Sequence, residues 1–211
     1  MKDIKSPYSA AFTAASMMYR EMTAILPLFR DERASELLNK EIEENNLLHI
    51  NSLNSRKRVV VELQRRYRAV PDGFWDYYSQ LDEKGQRVAL FYVLLKAYYL
   101  LFEIHLNVAV PMYRAMNLEL STGDVAMYLN EVAAQDSFVD SWSEATRKKV
   151  ISVYILMLHQ AGLLENGSSN LCKPDLDDSA WMYYIRLGEA WFLEACFLPT
   201  YEINDIKERA I

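Results

Sequence analysis

The sequence predicts an all-α protein, a compact bundle of helices, and three observations support this fold class. Only 6 Gly and 6 Pro occur among 211 residues, whereas a protein built of strands needs such turn residues often. In the clearest segments, apolar residues recur three and four positions apart, the period of a helix with one buried face. Hydrophobic residues form 51% and charged residues 25% of the chain, so enough apolar surface is present to build a core.

Residues that end or cap helices divide the chain into three parts. Residues 1–81 form a predicted N-terminal lobe, residues 82–116 a central buried helix, and residues 117–211 a C-terminal lobe. Each lobe is expected to contain one helix-turn-helix-like element. The chain has no long linker and no low-complexity tract, so the three parts are expected to share a core.

Four helices are predicted in the N-terminal lobe, over residues 7–26, 31–46, 54–70 and 74–78. Pro27 and Pro71 are expected to end the first and third, because proline lacks the backbone N–H. Asp31 can cap the second helix, and Asn54 or Ser55 the third, since short polar side chains accept hydrogen bonds from the first helical N–H groups.

The central helix is predicted to run from Glu83 to Met116 with a kink at Pro111. It is apolar enough to resemble a membrane span, but Lys96 and Glu103 interrupt it, and charge near a bilayer centre is costly. We therefore expect a core helix and no membrane partner. A signal-peptide pattern and a Cys-x-x-Cys pair are both missing from the sequence, so a cytoplasmic protein with reduced thiols is expected.

Three helices are predicted in the C-terminal lobe, over residues 121–135, 143–161 and 178–197, followed by a polar tail. Ser121 and Asp124 have the spacing of a capping box, and Gly162 suits the left-handed position just after a helix. Between residues 163 and 173 an Asn-Gly pair lies between short apolar pieces, which favours a small β-ribbon resembling a wing.

Each lobe repeats one pattern: a helix of about 14 residues, a connection, and a helix with a basic first turn. This pattern outlines a helix-turn-helix, whose second helix enters the major groove of DNA. Both connections are longer than the tight turn of that motif, and any helical protein offers such pairs. The pattern alone therefore has low specificity.

The distribution of charge favours a nucleic-acid contact more strongly than the pattern does. The chain carries a net charge of -6, yet residues 54–70 carry +5, so the remainder carries -11. Such asymmetry indicates a localised anionic partner. On a helical period Val60, Leu63 and Tyr67 face the core, while Lys57 and Arg68 share the opposite face. The candidate DNA-contacting residues here are Ser55, Arg56, Lys57, Arg58, Gln64, Arg65 and Arg68.

The second basic helix opens with Arg147, Lys148 and Lys149. Cations at a helix N-terminus oppose the macrodipole, at a cost of a few tenths of a kcal/mol, which is consistent with an anionic partner there. The candidate DNA-contacting residues of this helix are Ser143, Thr146, Arg147 and Lys148. One alternative applies to the basic helix over residues 54–70: the acidic helix before it can neutralise its cations within the molecule.

No catalytic centre, cofactor or metal is predicted. Pro71-Asp72 followed by Asp82-Glu83-Lys84 mimics a nuclease signature, but that signature needs adjacent strands to gather the carboxylates around a metal. The sequence has no Gly-rich phosphate loop and no GxGxxG, and its three histidines are expected to be core or surface residues. Paired tyrosines such as Tyr98-Tyr99 are expected in the core rather than stacked on single-stranded bases.

The run Trp142-Ser143-Glu144-Ala145-Thr146-Arg147-Lys148-Lys149, continuing to Leu164, resembles the BrxA family of the BREX phage-defence systems. Glu44–Leu48 and the basic helix opening at Ser55 are similar in order, and the resemblance covers about residues 8–165. It implies two helix-turn-helix elements, non-catalytic binding of double-stranded DNA, and other BREX subunits, such as the methyltransferase, as partners. A monomer is expected. The alternatives are a protein–protein adaptor that does not touch DNA, and an RNA-binding protein.

Overall fold

A computed structural model describes residues 6–210 and confirms the all-α fold class. In this part of the chain most helices are joined by short loops, the longest connection being residues 161–177, and the only β pairing consists of two isolated bridges. One hydrophobic cluster, from Phe12 to Ile206, includes residues of all three predicted parts. The helices of the first half are α1 (Tyr19–Phe29), α2 (Ala34–Glu44), α3 (Leu53–Tyr67), α4 (Phe74–Gln80), α5 (Glu83–Ala97), α6 (Tyr99–Ile104) and α7 (Val110–Arg114). Those of the second half are α8 (Thr122–Gln135), α9 (Ser137–Asp140), α10 (Glu144–Gln160), α11 (Asp178–Arg186), α12 (Trp191–Ala195) and α13 (Thr200–Ala210).

The first helix differs from its prediction over residues 7–26. A short 3₁₀ turn occupies Ala11–Ala14, and α1 begins only at Tyr19 because Met18 adopts a left-handed conformation, with φ of 56°. Pro27 lies inside the last turn of α1 rather than ending it. The cap of α3 was also predicted wrongly: Ser52, not Asn54 or Ser55, accepts the hydrogen bond from the Ser55 N–H, at 3.4 Å.

The predicted central helix is broken at Tyr98, where α5 and residues 99–114 meet at a bend of 111°. Tyr98 has extended backbone angles, and its buried ring packs against Phe12 while its hydroxyl donates to the Glu62 carboxylate. These tertiary contacts hold Tyr98 in the extended conformation that interrupts the helix. Just before Pro111, where a kink was expected, the helix contains a π-helical turn at His105–Ala109: the Val110 N–H donates to the His105 carbonyl, five residues back.

The middle of α5 lies in the core, since every residue from Val88 to Leu95 is buried. Within residues 6–210, no single helix is long and apolar enough to cross a membrane, and only α5 taken together with the bent segment 99–114 reaches that length. Tyr98 and Tyr99 were both expected in the core. Tyr98 is buried, but for Tyr99 the prediction is wrong, since 48% of its surface is exposed.

The C-terminal lobe confirms two predicted caps. Ser121 and Asp124 form the capping box of α8, and the Ser143 hydroxyl accepts the Thr146 N–H at 3.2 Å at the start of α10. Gly162 follows α10 with φ of 71°, a conformation that glycine adopts without steric cost. α8 and α10 are separated by residues 136–143, which contain the short helix α9.

The predicted ribbon is present only as isolated bridges. Leu164 pairs antiparallel with Leu171, and Glu119 pairs antiparallel with Asn170, while Gly167 at the tip of the turn has φ of 74°. Leu164 and Leu171 are buried, so the turn is packed onto the body at its base.

The last part of the chain contains two helices where one was predicted, and a third where a polar tail was predicted. Gly188, with φ of 77°, separates α11 from α12. The predicted tail forms α13 because Ile203 and Ile206 recur on one face, are buried, and join the common core.

His105 lies at the centre of the core with no exposed surface. Its Nε2 atom is 2.7 Å from the Ala195 carbonyl oxygen, and its Nδ1 atom is 2.9 Å from the Tyr154 hydroxyl. Because a carbonyl can only accept, Nε2 carries the proton and Nδ1 accepts from Tyr154. Burial lowers the pKa of His105 to about 4, and the Ala195 bond opposes this only in part.

The buried neutral imidazole should make stability depend on pH. The pKa is lower in the folded than in the unfolded state, so the unfolded chain binds the proton first, and the contribution of His105 is lost as pH falls from about 6.5 to about 4. We expect a loss of roughly 3 kcal/mol over this range. Urea unfolding of the parent and of His105→Gln, at several pH values, measures it as the difference between the two pH profiles. Parallel profiles would contradict the assignment.

Candidate nucleic-acid interface

The connection between α2 and α3 is held by a buried carboxylate. Glu41, 4% exposed, accepts the backbone N–H groups of Asn46, Leu47 and Leu48 at 3.2, 3.0 and 2.9 Å. Three N–H donors satisfy the desolvated charge, which would otherwise be costly. Glu41 therefore shapes the loop and is not available to neutralise the cations of α3.

Arg56 completes the same connection from the α3 side. Its side chain is 8% exposed, and its guanidinium donates to the carbonyl oxygens of Ile42, Ile50 and Asn51 at 2.5, 2.7 and 3.2 Å. The Ile42 carbonyl belongs to the last turn of α2, where helical carbonyls lack partners and the dipole favours a cation. Arg56 was predicted to face DNA, but the fold turns it inwards, and it is removed from the candidate contacts.

Arg66 is the second buried cation of α3. It is 1% exposed, pairs with Glu62 at 2.7 Å, and donates to the carbonyls of residues 15, 16 and 17 at 3.1, 2.9 and 2.8 Å. The Met17 N–H in turn donates to the Gln160 side chain at 3.1 Å, in the last turn of α10. The segment 15–17 thus links the two basic helices.

The other three cations of α3, and Arg68 at its C-cap, face solvent. Lys57, Arg58, Arg65 and Arg68 are exposed, and none has a carboxylate within 4.0 Å among the residues that the structure describes. The proposed neutralisation by α2 therefore does not occur in residues 6–210. We call these four side chains the α3 stripe.

Three further positions qualify the predicted contacts of α3. Val61 is 61% exposed in the middle of the α3 stripe, although it was not among the predicted DNA-contacting residues. Gln64 and Ser55 are half-buried. Ser55 does not cap the helix, as shown above, so its hydroxyl has no capping role.

The start of α10 is less open to an anionic partner than the α3 stripe. Arg147 is held at the junction of α8, α9 and α10: it donates to the Asp140 carbonyl at 2.9 Å, pairs with the Asp140 carboxylate at 3.2 Å, and reaches Asn130 at 3.2 Å. Lys148 pairs with Glu144 at 2.6 Å, and both are exposed, so this pair is weak. Lys149, which was not among the predicted contacts, is exposed and has no carboxylate within 4.0 Å in the described part.

The two polar residues predicted at the start of α10 serve the helix itself. The Ser143 and Thr146 hydroxyls lie 2.9 Å apart, and Ser143 is the cap described above. Ser143 remains exposed and Thr146 is half-buried. The start of α10 is therefore a capped helix N-terminus at which Arg147 is bound within the protein, while Lys148 and Lys149 lie at the surface.

Other chemistry has little support in the described residues. No group of three His, Cys, Asp or Glu side chains among residues 6–210 could hold a metal ion. Asp82 of the nuclease-like pattern caps α5 by accepting the Gly85 N–H at 2.8 Å. Burial raises the pKa of the Cys172 and Cys196 thiols, so neither is an activated nucleophile.

The fold and this surface define an all-α protein with a cationic helix on an anionic body. A family model described as BrxA matches residues 6–183. The BREX protein BrxA of Bacillus cereus (strain H3081.97) is 22% identical over 190 residues, covering 89% of this chain and 94% of the relative. The crystal structure of an uncharacterised protein from Magnetospirillum magneticum has the same fold, with a TM-score of 0.71 and 19% identity over 90% of this chain and 98% of that one. The chain belongs to the BrxA family, as its Trp-Ser-x-x-Thr-Arg-x-Lys string predicted.

The buried and exposed cations of α3 should respond differently to substitution. We expect Arg56→Ala to lower the free energy of unfolding by roughly 3 kcal/mol, because three carbonyls lose a charged donor. Lys57→Ala, its neighbour on the exposed side, should change it by less than about 0.5 kcal/mol. Chemical denaturation of both variants provides the comparison, and equal effects would show that Arg56 is not a structural residue.

Proposed function

We propose that the chain is a non-catalytic component of a BREX phage-defence system that binds double-stranded DNA, with α3 as its principal contact and α10 as a second. The observation that carries the proposal is the α3 stripe: four cations without acidic partners in the described residues, on one helix of a protein with a net charge of -6. Membership of the BrxA family supports the assignment to BREX, since the curated B. cereus relative is a BREX protein.

The α3 stripe fits the backbone of DNA by chemistry and by shape. Arginine and lysine side chains on an exposed helix can meet phosphates on both sides of the major groove. Arg58 and Arg65 lie two turns apart on the same side of α3, a spacing of about 10 Å. Val61, exposed between them, can meet the apolar thymine methyl group. The acidic remainder of the molecule disfavours other approaches of the duplex, which orients the complex.

The order of elements around α10 supports a second contact. Along the chain, the segment 118–120 is followed by α8, α10 and the turn at residues 163–172. Within that turn Leu171 pairs with Leu164, and Asn170 pairs with Glu119 of the first segment. This is the order of a winged helix-turn-helix, in which the second helix faces DNA. Because Arg147 is held by Asp140, Lys148 and Lys149 are the proposed phosphate contacts here, and their share of the affinity is smaller than that of α3.

Salt dependence tests the proposal directly. Each neutralised phosphate contributes about -0.9 to the slope of the logarithm of the binding constant against that of salt concentration, so the four residues of the α3 stripe are expected to contribute about -3.6 of the total slope. The triple variant Lys57→Ala, Arg58→Ala, Arg65→Ala should weaken binding to every duplex and make the slope shallower by about 2.7. Fluorescence anisotropy with a labelled duplex measures both quantities.

A matched control removes the same charge elsewhere. Arg186, Lys207 and Arg209 are exposed on α11 and α13, and their triple replacement by alanine should leave the slope unchanged. If the parent ignores duplex DNA at low salt and instead co-purifies with another BREX subunit, such as the methyltransferase, the adaptor function replaces the proposed one. Structured RNA that outcompetes duplex DNA would favour an RNA-binding function.

A further inference from the structure

An exposed aromatic surface lies where α6 begins, just after the bend at Tyr98. The ring of Tyr99 packs beside Tyr8, with centroids 5.8 Å apart and planes 23° from parallel, and beside Phe102 at 6.4 Å and 19°. Tyr8 and Phe102 are half-buried, whereas Tyr99 is 48% exposed. The proposed duplex contacts on α3 and α10 use none of these three rings, which we call the Tyr99 surface.

The carboxylate of Glu103 lies beside the Tyr99 surface. The Tyr8 hydroxyl donates to it at 2.8 Å, and Tyr99 precedes it by four residues on α6, a spacing at which two side chains share a face. Interaction with this carboxylate raises the pKa of Tyr99. Burial, and after it the charge of Glu103, raises the pKa of Tyr8 and of Tyr128 on α8. Three tyrosine side chains are therefore close to one carboxylate.

Glu103 has no cationic partner in the described part of the chain. It is half-buried, yet none of the ion pairs within residues 6–210 includes it. The bond from Tyr8 satisfies one carboxylate oxygen but leaves the negative charge in place. Because water and salt screen a partly buried charge less than an exposed one, this carboxylate is well placed to attract a cation. Glu131, which is exposed and acts on Tyr128, adds a second negative charge nearby.

Aromatic rings beside a carboxylate fit a guanidinium group better than an ammonium group. A guanidinium is planar and weakly hydrated, stacks on aromatic rings, and pairs with a carboxylate through two parallel N–H bonds. The faces of tyrosine rings also attract cations electrostatically. A lysine ammonium is a compact, strongly hydrated charge that cannot stack in this way. Tyrosine and arginine are, moreover, enriched at the positions that dominate the binding energy of protein interfaces.

We propose that the Tyr99 surface and Glu103 bind an arginine side chain presented by a partner protein, with the guanidinium paired to Glu103 and lying against the ring of Tyr99. Charge complementarity supports this occupant, since the chain outside residues 54–70 carries -11 and Glu103 has no cation of its own within residues 6–210. The inference goes beyond the proposed DNA contacts and does not depend on them. It assigns the chain a separate docking site for a protein.

The test measures how the full chain binds a labelled Gly-Ser peptide that contains two arginines, by fluorescence anisotropy at one fixed salt concentration. The same peptide with two lysines keeps the charge, and the peptide with two citrullines keeps the shape of arginine without its charge. We expect the arginine peptide to bind most tightly, because it alone offers both the charge and the planar group.

Substitutions separate the roles of the ring and the charge. Tyr99→Ala should weaken binding of the arginine peptide about 3- to 30-fold, whereas Tyr99→Phe, which keeps the ring, should retain it. Glu103→Gln, which keeps an acceptor for the Tyr8 hydroxyl, should also weaken it. The matched control Glu36→Gln removes an exposed carboxylate of α2 and should have little effect. Because Tyr99 is exposed, equal thermal midpoints of its variants are expected and are measured alongside.

Several results would overturn the inference. Equal affinities for the arginine and lysine peptides, or equal losses in Glu103→Gln and Glu36→Gln, would show only a general attraction to an anionic body. Residues 1–5 lie outside the described part and contain Lys2 and Lys5. If replacing both lysines by alanine tightens peptide binding about tenfold or more, the N-terminus of the chain itself is the occupant.

Nucleic-acid binding provides the remaining distinction. A single-stranded oligonucleotide that displaces the peptide, and loses affinity in Tyr99→Ala, would replace the protein partner by a nucleic acid. The salt titration with duplex DNA is read separately. A chain that selects the arginine peptide but ignores every duplex retains this docking site and loses the proposed function, whereas the opposite result removes the docking site alone.

Discussion

The position of α3 depends on two arginine side chains that the fold buries. Arg56 bonds three carbonyls around the α2–α3 connection, and Arg66 bonds Glu62 and three carbonyls of residues 15–17. A buried cation is tolerated only when its donors are satisfied, and here backbone carbonyls supply most of the acceptors. The helix is thereby attached at its first turn to α2 and at its last turns to the segment before α1.

These attachments separate the cations of α3 into two groups with different roles. Arg56 and Arg66 point inwards and hold the helix, so their guanidinium groups are not accessible to a partner. Lys57, Arg58, Arg65 and Arg68 point outwards with no acidic partner in the described residues, so these four are the cations that a partner could contact directly. A rigid helix with a free cationic side is well suited to contact a regular polyanion, since little side-chain and loop ordering remains to oppose binding.

The same buried network relates the two candidate DNA-contacting helices. Arg66 of α3 holds the carbonyls of residues 15–17, and Gln160 of α10 accepts the Met17 N–H. A duplex that touches both helices would therefore meet them at a spacing set by the core.

The fold class, the family and most helices could be predicted from the sequence alone. The scarcity of Gly and Pro, the caps Ser121 and Ser143, and the apolar stripe of α3 depend on contacts within a few residues, and such local rules act in any fold. The spacing of Glu62 and Arg66, four residues apart, also contained the signal of an internal pair, as did that of Glu144 and Lys148.

The remaining features depend on contacts between residues that are distant along the chain. The break at Tyr98 depends on Phe12 and Glu62, which are distant along the chain, and it is this break that leaves Tyr99 in solvent. The inward course of Arg56 depends on carbonyls at the end of α2 and in the following loop, and the hold on Arg147 depends on Asp140 and Asn130. Charge and period predict that a side chain is basic and which face it shares, but whether a long, flexible cation turns to solvent or to a carbonyl is decided by partners that only the folded chain brings within reach.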